Sequence, residues 1–234
     1  MRQLPLRVTL RDRALFGSFL AGPNAAVLLQ LEALAHEQKA GLVWLCGPEA
    51  SGKTHLLQAL CAQAGDGARY LPLSQLMEFG PSALADWHGE RWLCLDDVES
   101  VIGNSEWERA LFAVYRDAED RGATLLMAAR AAPPQLTFAL PDLASRCAAA
   151  SRLTLQALDE PSQLAALQLR AQLRGFELPD ETGRYLQRRL PRDLSSLFAV
   201  LDELDTAALT EQRRLTVPFI RAVLAQHEPA AKKS

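Results

Sequence analysis

The run "GPEASGKT" (47–54) sets two glycines, a lysine and a hydroxyl at the spacing GxxxxGK[ST], a pattern able to wrap a polyphosphate. Gly47 and Gly52 let the backbone curl until successive N–H groups face one point, and a helix beginning there adds partial positive charge. In such a loop Gly47, Ser51, Gly52, Lys53, Thr54 and His55 line the phosphates of a nucleotide, with Lys53 on the β- and γ-phosphates. Further along, "WLCLDD" ends in Asp96 and Asp97. Asp96 would hold Mg²⁺ together with the Thr54 hydroxyl, largely through water, and Asp97 would polarise an attacking water.

That chemistry needs a strand before the loop and a helix after it. "GLVWLC" (41–46) is a short apolar run suited to a buried strand, and "THLLQALCAQA" (54–64) has helical spacing. Further strands are predicted at 68–73, 91–97, 123–129 and 151–157. An amphipathic helix over 105–122 stops at Gly122, and another over 24–39 takes Asn24 as its N-cap. Strands alternating with helices predict a parallel sheet sandwiched between helices. Beyond residue 158 every segment is helical, with Pro161 and Pro218 early in their helices, where the first turn tolerates proline. The expected plan is an N-terminal tail (1–15), an α/β nucleotide-binding domain (16–157), a small all-helical lid (158–228) and a short tail (229–234).

The 234 residues carry a formal net charge of −3, which gives no support to strong independent DNA binding. Cys46, Cys61, Cys94 and Cys147 form no CxxC pair and read as buried reduced thiols, and the four histidines lack metal-ligand spacing. With no apolar run of membrane-spanning length, the expected location is the cytoplasm.

The order of P-loop, "CLDD", strand, "LPDLASR" (140–146) and a helical segment bearing "PRDL" resembles the AAA+ family. Within it, "ALQLRAQLRGFELPDETGRYL" (166–186), "RRLTVPFI" (213–220) and "FGSFLAGPNAAVLLQLEAL" (16–34) resemble the group of the bacterial replication initiator DnaA and its shorter Hda-type regulators. The resemblance implies that Arg146 points out of the subunit toward a neighbour's nucleotide, where a permanently charged planar guanidinium can spread two hydrogen bonds over phosphate oxygens. It implies that Arg192 contacts the chain's own nucleotide from the lid. Where the family usually has a polar or acidic γ-phosphate sensor, this chain reads Ala128-Ala129-Arg130, so weak or absent hydrolysis by the chain itself is expected, with an ADP-bound working form. The helix-turn-helix and N-terminal oligomerisation domains of the initiator are not expected here.

In that setting the opening "MRQLPLRV" resembles the short peptide by which bacterial proteins bind the replication sliding clamp, the β subunit of DNA polymerase III. Gln3 would fill a polar notch, Leu4 and Leu6 a hydrophobic groove, and Pro5 would lower the ordering cost. The resemblance thus implies a negative regulator of replication initiation, tethered to the clamp and promoting hydrolysis of ATP on DnaA. Its DNA contact would be weak or indirect, and a homo-oligomer is compatible with the family. The rival reading is a self-acting AAA+ ATPase such as a helicase loader; a stand-alone DNA-binding adaptor ranks behind both.

Overall fold

A computed structural model of the chain describes residues 14–36, 40–85, 87, 89–190, 194–211, 218 and 220–221. Two compact units emerge: one holds Met1–Pro48 and Gly52–Gln156, the other Glu49–Ser51 and Ala157–Ser234.

The first unit is built on five parallel strands, β1 (Gly41–Cys46), β2 (Ala68–Pro72), β3 (Trp92–Asp96), β4 (Thr124–Ala129) and β5 (Ser151–Thr154), in the order β2-β3-β4-β1-β5. Their near-continuous apolar runs follow from burial on both faces. Successive side chains alternate between two cores. Trp44, Leu93, Leu95, Leu125 and Met127 face one side. Val43, Leu45, Cys94, Leu126 and Ala128 face the other. The first core is closed by α4 (Ser105–Arg121) and α5 (Pro141–Ala148), which bury Trp107, Leu111, Val114, Leu143 and Cys147. The second is closed by α1 (Ala25–His36) and α2 (Lys53–Ala64) through Leu31, Leu56, Leu57 and Leu60. Each such fully buried leucine stabilises the fold by about 1.5–3 kcal/mol relative to exposure.

α4 starts at Asn104, whose side chain accepts from the N–H groups of Glu106 and Trp107, and ends at Gly122, in the left-handed conformation that releases the chain into β4. Between β2 and β3 lies a short helix not foreseen from the sequence, α3 (Leu73–Leu76), which takes Leu73 from the expected strand.

Two expectations are corrected. Asn24 is not the cap of α1: it is buried, its amide donates to the Gln156 carbonyl (3.0 Å), and its oxygen accepts from the Gln156 N–H (2.7 Å). The same pair shortens the fifth strand to Ser151–Thr154, because both backbone groups of Gln156 go to a side chain instead of a ladder.

The second unit contains α6 (Glu160–Leu173), α7 (Asp180–Arg189) and α8 (Leu194–Glu211). Asp159 caps α6 through the Ser162 N–H, with Pro161 in the first turn. Leu167, Ala171, Leu186, Leu197, Leu201, Leu204 and Ile220 form its own core. The spacing 197, 201, 204 is one stripe of a helix. Arg170 and Arg174 share Asp202, at 3.0 and 2.9 Å.

Candidate nucleotide-binding site

The C-terminal ends of β1, β3 and β4 bring together the loop after Cys46, the Asp96-Asp97 pair and Arg130. Ligands of open α/β sheets bind along this edge. The Gly47 N–H donates to the Ala129 carbonyl at 3.3 Å, so the loop departs from the middle of the sheet. Gly52 has φ +95°, and a Cβ there would stand 2.5 Å from Cε2 of Phe19. Torsion and packing both demand glycine.

Lys53 opens α2 and is buried. Its ammonium donates to the carbonyls of Gly47 and Pro48, both at 2.8 Å. Burial holds its pKa below the usual lysine value, Glu99, Asp96 and Asp97 raise it, and Arg130 lowers it. Ser51 is buried, and its hydroxyl has no hydrogen-bond partner among the described residues. Such an orphaned donor fits a loop made to meet a polyphosphate. Thr54 is exposed. Nε2 of His55 lies 3.0 Å from the Leu15 carbonyl and 3.2 Å from Oγ of Ser18, with Phe19 tilted against the imidazole at 5.7 Å. His55 thus fastens the segment 15–19 to the first turn of α2.

Asp96 is buried at the end of β3. Burial pushes its pKa up, the Thr54 and Tyr70 hydroxyls pull it down, and the Asp97 charge raises it. The Tyr70 phenol donates to Oδ2 of Asp96 (2.8 Å), and the Asp97 N–H donates to Oδ1 (3.0 Å). Asp97 has left the ladder in the left-handed region (φ 53°), which a short carboxamide or carboxylate side chain tolerates best after glycine. Its Oδ2 accepts from the Ser74 hydroxyl at 2.7 Å. Thr54 and Asp96 supply the hard oxygens that Mg²⁺ takes, so the residues present fit the ion.

Arg130, directly after β4, pairs with Glu99: its backbone N–H donates to Oε1 at 3.2 Å and its Nε stands 3.3 Å from the same oxygen. The end of β4 therefore presents an arginine paired with Glu99, not an acidic or amide group.

Arg146 is exposed on α5, its guanidinium carbon 5.7 Å from the centroid of the Tyr115 ring. The entry to α5 is fixed by Glu108, whose fully buried carboxylate accepts from the N–H groups of Gly103 (2.6 Å), Ala139 (2.9 Å) and Leu140 (2.6 Å). Burial, with the Glu108 charge, pushes the neighbouring Cys147 thiol up to about 12, which makes it an inert core residue. Arg192, Gln3, Leu4 and Leu6 lie outside the described residues.

The sequence thus supplies Lys53, Thr54, Asp96 and Asp97, which the fold gathers, and Arg146, which stands on a separate helix. It does not announce Tyr70, Ser74, Glu99, Glu108 or Tyr115. Tyr70 alone had a readable signal, as a polar-tipped side chain on a strand that could pair beside "CLDD". Among the described residues, no helix is long and apolar enough to cross a membrane.

Residues 159–224 match the family model described as "Hda, lid domain". The fold is similar to domain III of the replication initiation protein DnaA from Thermotoga maritima, with a TM-score of 0.76 and 20% identity over 93% of this chain and 98% of that one. It is similar to AMPPCP-bound DnaA from Aquifex aeolicus, with a TM-score of 0.66 and 17% identity over 84% of this chain and 66% of that one. The Thermotoga maritima RuvB Holliday junction branch migration motor follows, with a TM-score of 0.63 and 16% identity over 88% and 68%.

Proposed function

We propose that this chain, an AAA+ protein with a lid of the Hda family over residues 159–224, is a regulator that acts on nucleotide bound to DnaA. The observation that carries the reading is the joining of an Hda-type lid to the fold of DnaA domain III in one chain. The chain binds ADP or ATP in its own loop through Gly47, Ser51, Gly52, Lys53 and Thr54, and Arg192 serves the same nucleotide. When bound, Mg²⁺ on Thr54 and Asp96 neutralises phosphate charge. Hydrolysis takes place in the partner's site. Arg146, exposed and permanently charged, is supplied in trans to the γ-phosphate of ATP on DnaA, where it stabilises the charge that develops during phosphoryl transfer. Two features support weak turnover in the chain's own site: Asp97 is held by Ser74, and the sensor position carries an arginine paired with Glu99. Gln3, Leu4 and Leu6 deliver the protein to the DNA-loaded sliding clamp. The product, ADP on DnaA, limits re-initiation.

The test preloads DnaA with labelled ATP and follows turnover with DNA-loaded clamp and wild-type, Arg146→Ala or Asp97→Asn protein. Arg146→Ala should lower stimulation about a thousandfold or more, while Asp97→Asn does far less harm. Turnover that stops with Asp97→Asn and survives Arg146→Ala would establish the self-acting ATPase instead.

A further inference from the structure

We propose that Tyr115 is a positioning residue for Arg146, and that α4 holds the arginine at two points. This rests on the reading that Arg146 acts on a partner's nucleotide. Glu108 and Tyr115 are seven positions apart on α4, hence on one face, two turns from each other. At the first point, the Glu108 carboxylate takes the N–H groups of Ala139 and Leu140 and fixes where α5 begins. At the second, the Tyr115 ring supports the guanidinium at 5.7 Å. A cation over an aromatic face at this range is attracted to it.

The ring is itself held. Its hydroxyl donates to Oε1 of Glu119 (3.1 Å), one turn further along α4, and the Phe112 ring lies near-parallel to it at 6.2 Å. A long arginine on a short helix otherwise samples many rotamers, and ordering them on docking would reduce the gain from binding. Held on the Tyr115 ring and hydroxyl, the exposed guanidinium has fewer orientations to lose when it meets a phosphate. The Tyr115 oxygen also accepts a side-chain hydrogen bond from Arg146, so ring and hydroxyl hold the guanidinium together.

Three variants and one spectrum test this. The maximal rate of turnover of ATP on DnaA, and the concentration giving half of it, are measured for wild type, Tyr115→Leu, Tyr115→Phe and Arg146→Ala, with ADP binding as the control for folding. Tyr115→Leu should lower the maximal rate by about tenfold or more, since small misplacements of a reacting group carry costs of this size, with the half-saturating concentration unchanged. Tyr115→Phe, which keeps the ring and loses the hydroxyl that Arg146 hydrogen-bonds, should give a rate between those of Tyr115→Leu and wild type. In side-chain NMR of arginine-labelled protein, the Arg146 resonances should be shifted upfield by the ring in wild type and in Tyr115→Phe, and not in Tyr115→Leu. An Arg146 signal at its unshifted position in wild type overturns the proposal whatever the variants do. A Tyr115→Leu protein with a normal rate overturns it as well, and one that loses only affinity makes Tyr115 a docking contact instead. If Arg146→Ala keeps full stimulation, the trans-arginine reading falls with it; the ring shift still shows whether Tyr115 holds Arg146, which separates the two failures.

Discussion

The phenol of Tyr70 reaches the Asp96 carboxylate, 2.8 Å from Oδ2, because β2 and β3 run parallel in a register that pairs Tyr70 with Cys94 and Pro72 with Asp96. A residue two positions short of the strand end thus governs the carboxylate at the end of its neighbour. Asp96 is nonetheless buried enough that its pKa stays above the ordinary carboxylate value. Folding thus leaves a poorly solvated carboxyl at the sheet edge.

The pH dependence follows from that shift. A carboxyl whose pKa is raised by folding binds its proton more tightly in the native state. Its contribution to stability is fully present below the unfolded-state value and is lost as pH rises through the folded one. Asparagine does not titrate. Asp96→Asn should therefore gain stability over wild type from about pH 4 to about pH 7, while losing Mg²⁺-dependent nucleotide affinity. Urea unfolding at both pH values, with nucleotide absent, checks it; a difference that shrinks toward neutrality would contradict the burial argument.

Lys53→Met should separate binding from stability. Burial depresses the Lys53 pKa, so the folded state bears a cost for its charge at neutral pH. The nucleotide-free variant should melt at or above the wild-type temperature. ADP affinity should fall by about a hundredfold, or about 3 kcal/mol. Calorimetric titration and thermal melts with and without ADP measure the two effects.

Glu108→Gln leaves an oxygen for two of the three N–H groups but turns an NH₂ toward a third donor. Charge-assisted hydrogen bonds of this kind contribute about 1.5–3 kcal/mol, so the urea midpoint should fall correspondingly. Stimulation of DnaA should fall as well, with ADP affinity unchanged.

Gln3→Ala combined with Leu4→Ala should abolish capture by DNA-loaded clamp beads and clamp-dependent stimulation, with thermal stability and ADP affinity close to wild type. Surface plasmon resonance on immobilised clamp reads the first effect. A large fall in melting temperature would instead place "QLPLRV" in the folded body.

What was legible in the sequence was what local pattern encodes. Apolar runs such as 41–46 and 124–129 are strands because both faces are buried, and "GPEASGKT" carries its geometry in its glycines. What was not legible depends on partners distant in sequence. Asn24 has the identity of a cap, yet a backbone 132 residues away claims its amide. Glu108, in the first turns of an amphipathic helix, reads as a solvent-side charge until the segment before α5 is seen to fold over it. Tyr115 reads as a core-edge aromatic until α5 brings Arg146 above it. α3 is too short for a period to register, and it contributes Ser74, which restrains Asp97.

The pairing of β1 with β4 has a consequence for synthesis. Gly41 partners Thr124, a separation of 83 residues, and the other neighbour of β1 is β5, which is made later still. At about 5–20 residues per second, roughly 4–17 s pass between the making of the P-loop strand and the arrival of its first partner. Meanwhile "GLVWLC" is an apolar segment with both edges open, the kind that chaperones hold and neighbouring nascent chains capture. The β2–β3 pair can assemble in that interval, but the nucleotide loop cannot take shape until β4 has been made, so added ADP should speed only the last stage of folding.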